Sequence, residues 1–121
     1  MKFSVLVAIV PEEKEQETID AAREQGAGGM TLLSARGISD TAKKSFFGMT
    51  YDGSQKVILM ILERGLSIRV MKAVKHILVD EHNHSDGVVF TSPIEHLAGI
   101  DVTQLDKFEQ HVKESLKGNE L

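Results

Sequence analysis

Two segments of this chain, Lys2–Val10 and Lys56–Leu62, are apolar on both faces of an extended strand, and that pattern limits what the sequence can fold into. Phe3, Val5, Val7 and Ile9 alternate with Leu6, Ala8 and Val10, and Val57, Leu59 and Ile61 alternate with Ile58, Met60 and Leu62. Both segments are rich in β-branched residues and too short for buried helices, so they read as strands. A strand in a half-solvated sheet alternates apolar and polar residues. These strands must be covered on both sides, by a C-terminal helix folding back or by partner subunits. One helix of about four turns cannot cover a whole sheet, which favours an oligomer.

The remaining elements follow from punctuation and period. Pro11 ends the first strand, and Glu12, Glu13 and Glu15 place negative charge at the positive end of a helix reaching about Gln25. Gly26 and Gly28-Gly29 stop that helix, and Met30–Arg36 is a second strand. From Gly37 to Gln55 periodicity is lost, giving a long loop over 38–55. After the Lys56 strand, Leu66, Val70, Ala73, Val74, Ile77 and Leu78 recur at helical spacing. Val88–Thr91 is a fourth strand, and Ile94–Leu97, after Pro93, is a candidate edge strand. Val102, Leu105, Phe108, Val112 and Leu116 mark a further amphipathic helix over about 101–117, capped by Asp101 or Thr103. The order β-α-β, loop, β-α-β predicts an α+β class, a ferredoxin-like βαββαβ sandwich in a single domain over 1–121.

Composition excludes several functions. With no cysteine there are no disulfides, thiolate zinc sites or cysteine nucleophiles. A formal charge of −4 argues against non-specific nucleic-acid binding. No apolar run approaches the roughly 20 residues that span a bilayer, so membrane insertion is not expected. Phe3–Val10 is followed by Pro11-Glu12-Glu13 rather than by a small-residue cleavage site, so the expected location is cytoplasmic.

Three segments could carry chemistry. In Gly26-Ala27-Gly28-Gly29-Met30-Thr31 the glycines permit close approach of a ligand to the backbone, or serve only as a helix stop. In the long loop, Phe46, Phe47, Met49 and Tyr51 among Lys43, Lys44 and Asp52 have the character of interface anchors, or tuck back onto their own domain. His76, Asp80, His82, His84 and Asp86 are a possible divalent-cation cluster or a solvated helix end. No nucleophile elbow or catalytic carboxylate pair stands out, so the chain reads as a non-enzyme.

Taken in order, these motifs resemble the PII signalling proteins, trimeric regulators of nitrogen and carbon use. The resemblance runs over roughly Lys2 to Leu97. It rests on strand–Pro–helix, Gly-Ala-Gly-Gly-Met-Thr, Arg36-Gly37 opening the long loop, Lys56 leading a strand, and Ser85-Asp86-Gly87-Val88-Val89-Phe90. It implies a homotrimer with an adenine nucleotide (ADP, AMP or ATP) in each inter-subunit cleft. The loop, called the T-loop in that family, would dock on a transporter, enzyme or regulator. Carried over by position, Gly29, Met30 and Thr31 would lie around the base and sugar. Gly37 would start the loop near the phosphates, Lys56 would reach the ligand, Leu62 would line the adenine pocket, and Gly87 would approach the phosphate chain.

This sequence also departs from that family's pattern. Val88 stands where the family has a phosphate-binding lysine, and two arginines typical of its last strand have no counterpart in Ile94–Gly99. Ile38-Ser39-Asp40-Thr41 replaces the glutamine that helps to bind 2-oxoglutarate, and Tyr51 lacks the flanks of the family's modified tyrosine. Neither 2-oxoglutarate sensing nor loop uridylylation is expected, and the chain resembles a divergent PII-like member whose clefts take an adenine nucleotide or another small anion. Two rivals remain: a divalent-metal-binding trimer of the same topology, and a small ferredoxin-like enzyme using His76 or His84 as an acid–base group.

Overall fold

The computed structural model describes residues 1–38, 45–46, 49–50, 53–100 and 114. In chain order the elements are β1 (Phe3–Pro11), a 3-10 turn (Glu12–Lys14), α1 (Glu15–Glu24), β2 (Thr31–Gly37), β3 (Ser45–Phe46), β4 (Met49–Thr50), β5 (Gly53–Glu63), α2 (Arg64–Leu78) and β6 (Val88–Pro93). A four-stranded sheet has the order β2-β5-β1-β6, every neighbouring pair antiparallel. This is the ferredoxin-like α+β arrangement expected from the sequence.

β1 is the axis of the sheet. It pairs with β5 along its full length, from Phe3↔Glu63 to Pro11↔Gln55, and with β6 from Ser4↔Pro93 to Ile9↔Val88. Leu6, Ala8 and Val10 face the helices with Ile58, Met60 and Leu62, and all six are at most 1% exposed. Ile19 and Ala22 of α1 and Leu66, Val70, Val74 and Leu78 of α2 complete that core. Burying a side chain such as Leu6 or Ile58 stabilises the fold by about 1.5–3 kcal/mol.

The opposite sheet face stays apolar. Leu33 lies opposite Val57 and Phe90 opposite Val7. Leu33, Ile61 and Phe90 are 48%, 52% and 45% exposed, while Val5, Val7, Ile9, Val57 and Leu59 are half-buried. No described element lies across this face.

The ends of the helices are settled by local chemistry. Gly26, at φ +112°, follows Gln25, the C-cap of α1. Its N–H donates to the Arg23 carbonyl at 3.0 Å and that of Ala27 to the Ala22 carbonyl at 3.1 Å. That pair of bonds is a Schellman stop, and it needs a residue at ease with positive φ. β5 passes into α2 with no intervening residue because the Glu63 carboxylate caps it, accepting from the N–H groups of Gly65 (2.9 Å) and Leu66 (3.0 Å).

Three expectations are corrected. β5 begins at Gly53 rather than at Lys56, because β2 and β5 stay paired as far as Gly37↔Gly53; residues 53–55 therefore belong to the sheet and not to the loop. Within the remainder, Ser45–Phe46 pairs with Met49–Thr50, a ladder too short to leave a periodic signal in sequence. Ile94–Leu97 forms no strand. The Ile94 N–H reaches the Phe3 carbonyl at 3.0 Å, but β1 starts there, and the Lys2 carbonyl already accepts from Arg64. The helix expected over about 101–117 lies outside the described residues except for Glu114, which is helical and exposed.

The cap gives a direct test. Glu63→Ala leaves two N–H groups at the start of α2 without their acceptor and is expected to lower unfolding free energy by about 1 kcal/mol. Urea denaturation should show a lower midpoint with an unchanged slope.

Candidate ligand cleft at the base of the long loop

The end of β1 sets the site. Beyond Pro11 the chain turns through Glu12–Lys14, and the same edge of the sheet receives Gly37 and Gly53, the paired residues that close the base of the loop. β6 starts beside Ile9, so the 79–87 connection also arrives there. Together they enclose a cleft of about 780 Å³, lined among others by Glu12, Lys14, Glu17, Gln55 and Asp86.

Lys14 holds this end together. Its Nζ donates to the Ile77 carbonyl at 2.8 Å and pairs with Asp86 Oδ2 at 2.9 Å. It thus ties the turn after β1 to the end of α2 and to the loop leading into β6. Asp86 Oδ1 is buried with no hydrogen-bond partner in the described structure. Lys56 is also engaged: its Nζ donates to Ser34 Oγ at 3.0 Å across the β2–β5 pair and lies 3.7 Å from Glu15 Oε2.

The histidine segment is organised by Asp80. Its Oδ1 accepts from the N–H groups of His82 (2.9 Å) and His84 (2.8 Å), and its own N–H donates to the His84 carbonyl at 2.9 Å. Asn83 closes the turn at φ 63°. A carboxylate that accepts backbone N–H groups in this way is shaping a turn. The rings of His82 and His84 point into solvent, 74% and 78% exposed, and His76 is exposed on α2. Among the described residues no set of three or more His, Asp or Glu comes together as a metal site. None of the three imidazoles lines the cleft, so this geometry favours neither the metal rival nor the acid–base rival.

The residues singled out for a nucleotide fall into two groups. Gly37, Lys56 and Gly87 lie at the cleft end of the sheet. Gly29, Met30 and Thr31 lie at the other end of β2, about 20 Å away along a strand of this length. Gly29 and Thr31 are exposed, whereas Met30 is half-buried and packs against the core. Leu62 is a correction: at 1% exposure it faces the helices, so its side chain is not open to a ligand.

Gly87 has a packing reason for its identity, since a Cβ there would sit 2.5 Å from the Ile9 carbonyl oxygen and 2.9 Å from Leu78 Cδ2. Gly28 and Gly29 would meet nothing within 4 Å. Of the anchors expected for a partner, Phe47 and Tyr51 lie outside the described residues, and Phe46 and Met49 are described only as members of the short β3–β4 ladder. Lys14 and Gln55 were not foreseen. Gln55 is 6% exposed at the strand end opposite Pro11, and a polar residue just before the Lys56 run was the available signal.

No family model and no curated protein matches this sequence. Solved structures do match. A PII-like signalling protein from Thermus thermophilus is 14% identical with a TM-score of 0.57, covering 78% of this chain and 88% of its own. CPII from Thiomonas intermedia, bound to ADP and bicarbonate, is 16% identical with a TM-score of 0.58, covering 78% and 87%. Described as a nitrogen regulatory PII-like protein and bound to ADP, AMP and bicarbonate, it is 15% identical with a TM-score of 0.59, covering 83% and 98%. This chain therefore has the fold of PII-like signalling proteins.

Packing and ligand roles of the glycines can be separated. Gly87→Ala is expected to cost about 3 kcal/mol through overpacking against β1. Gly29→Ala should leave stability within about 0.5 kcal/mol. Thermal unfolding of the two variants checks both values.

Proposed function

We propose that this chain is a non-enzymatic, PII-like regulator that works as a homotrimer, with an adenine nucleotide between copies and the loop around 38–52 carrying the signal to a partner protein. The observation that carries this reading is the separation of Gly29, Met30 and Thr31 from Gly37 to opposite ends of β2, a distance that a second copy can bridge and a single chain cannot. The apolar sheet face that no described element covers gives the assembly its driving force, because exposed apolar area of this kind is what subunits bury. CPII, of the same fold, holds adenine nucleotides, which adds support.

Signalling on this scheme needs a ligand that prefers one loop conformation. The loop is well placed for that coupling, because its base is the Gly37–Gly53 pair at the mouth of the cleft. Phe46, Phe47, Met49 and Tyr51 supply the apolar contacts to a transporter, enzyme or regulator.

The charges narrow the effector. Lys14 and Lys56 are already paired with carboxylates, and Glu12, Glu13 and Glu17 line the same cleft. Each further phosphate adds negative charge that these cations do not offset. AMP or ADP is therefore the fitting ligand, ahead of ATP.

Two measurements test the reading. Sedimentation at micromolar concentration should give a trimer, and Ile61→Asp should convert it to monomer by placing a charge on the apolar face. Calorimetric titration should show AMP binding at least as tightly as ATP and Gly29→Ala weakening it by about ten-fold or more. No heat with AMP, ADP or ATP would sink the nucleotide part.

A further inference from the structure

Between the second half of α2 and the start of β6 lies a second groove, of about 350 Å³, lined by the apolar side chains of Met71, Leu78, Val79, Val88 and Val89 with Lys72 and Lys75 beside them. We propose that the C-terminal segment 101–117 of the same chain docks there as an amphipathic helix, closing the edge of the sheet at β6.

Its sequence fits the groove. Val102, Leu105, Phe108, Val112 and Leu116 make one apolar stripe at helical spacing. Glu114 is helical and exposed, and on a 3.6-residue period it falls opposite Leu105, Val112 and Leu116.

The reach is also sufficient. β6 ends at Pro93 beside Ser4, while the groove lies by Val88 and Val89 at the strand's other end. The return distance is about 17 Å. Residues 94–100 span up to about 23 Å when extended, and a helix over 101–117 is about 25 Å long. That length matches α2, against which it would run.

The choice of this groove over the open sheet face rests on the functional reading, in which other copies occupy that face. The apolar stripe then needs a different partner, and this groove offers one beside an edge strand.

The absence of cysteine makes a disulfide trap clean. Val89→Cys is combined in turn with Leu105→Cys, Phe108→Cys or Val112→Cys in the full chain. A reference set joins Ile61→Cys, on the open sheet face, to the same three partners. After mild oxidation, a bond within one chain in a Val89 pair is the expected result. Bonds confined to the Ile61 pairs, bonds only between chains, or no bond in any Val89 pair would overturn the docking. In the full chain, Phe108→Asp should speed amide exchange in Met71–Leu78 by about ten-fold. Unchanged exchange there would also refute the proposal. Sedimentation of the unsubstituted protein separates this failure from that of the functional reading, since a trimer with no Val89 bond removes only the docked helix.

Discussion

The pairing of β1 with β5 is the constraint on which the rest depends. Both strands are central and apolar on both faces, and their register runs unbroken from Phe3↔Glu63 to Pro11↔Gln55. A shift of one residue in β1 would exchange its two faces and turn Val5, Val7 and Ile9 toward the helices in place of Leu6, Ala8 and Val10. Because one end of this ladder is Glu63 and the other is Pro11, it also fixes where α2 starts and where the cleft opens. Glu63 serves as last strand residue and helix cap at once.

The cleft is held by charges that satisfy one another. Lys14 binds Ile77 and Asp86, and Lys56 binds Ser34 and Glu15, so the cations nearest the loop are also structural ties. At partial exposure such pairs contribute modestly to stability, typically about 1 kcal/mol or less.

Legibility differed between kinds of residue. The four strands of the main sheet, both helices and the glycine stop could be read because apolar period, Pro11 and Gly26 are local signals. The exact start of β5 could not, since Gly53, Ser54 and Gln55 carry no strand signal and are extended only through pairing with β2. Leu62 was misread as a ligand contact because its position in a motif says nothing about which face it takes; pairing with Ser4 turns it toward the helices. Gly87 was read for closeness to phosphate, yet its nearest neighbours are Ile9 and Leu78. The histidines drew attention as ligands because sequence shows donors and not their directions; Asp80 spends its carboxylate on the turn that carries them.

The amino-acid sequence determined the elements and their order, and it demanded that something cover a sheet apolar on both sides. These follow from side-chain size, branching and period, which act over a few residues. Only the tertiary structure decided which apolar face the helices took, and that Gly29–Thr31 and Gly37 sit at opposite ends of β2. It also decided that Lys14 pins the cleft. Those outcomes depend on register and on contacts between residues distant along the chain, such as Lys14 with Ile77, and no local pattern encodes them.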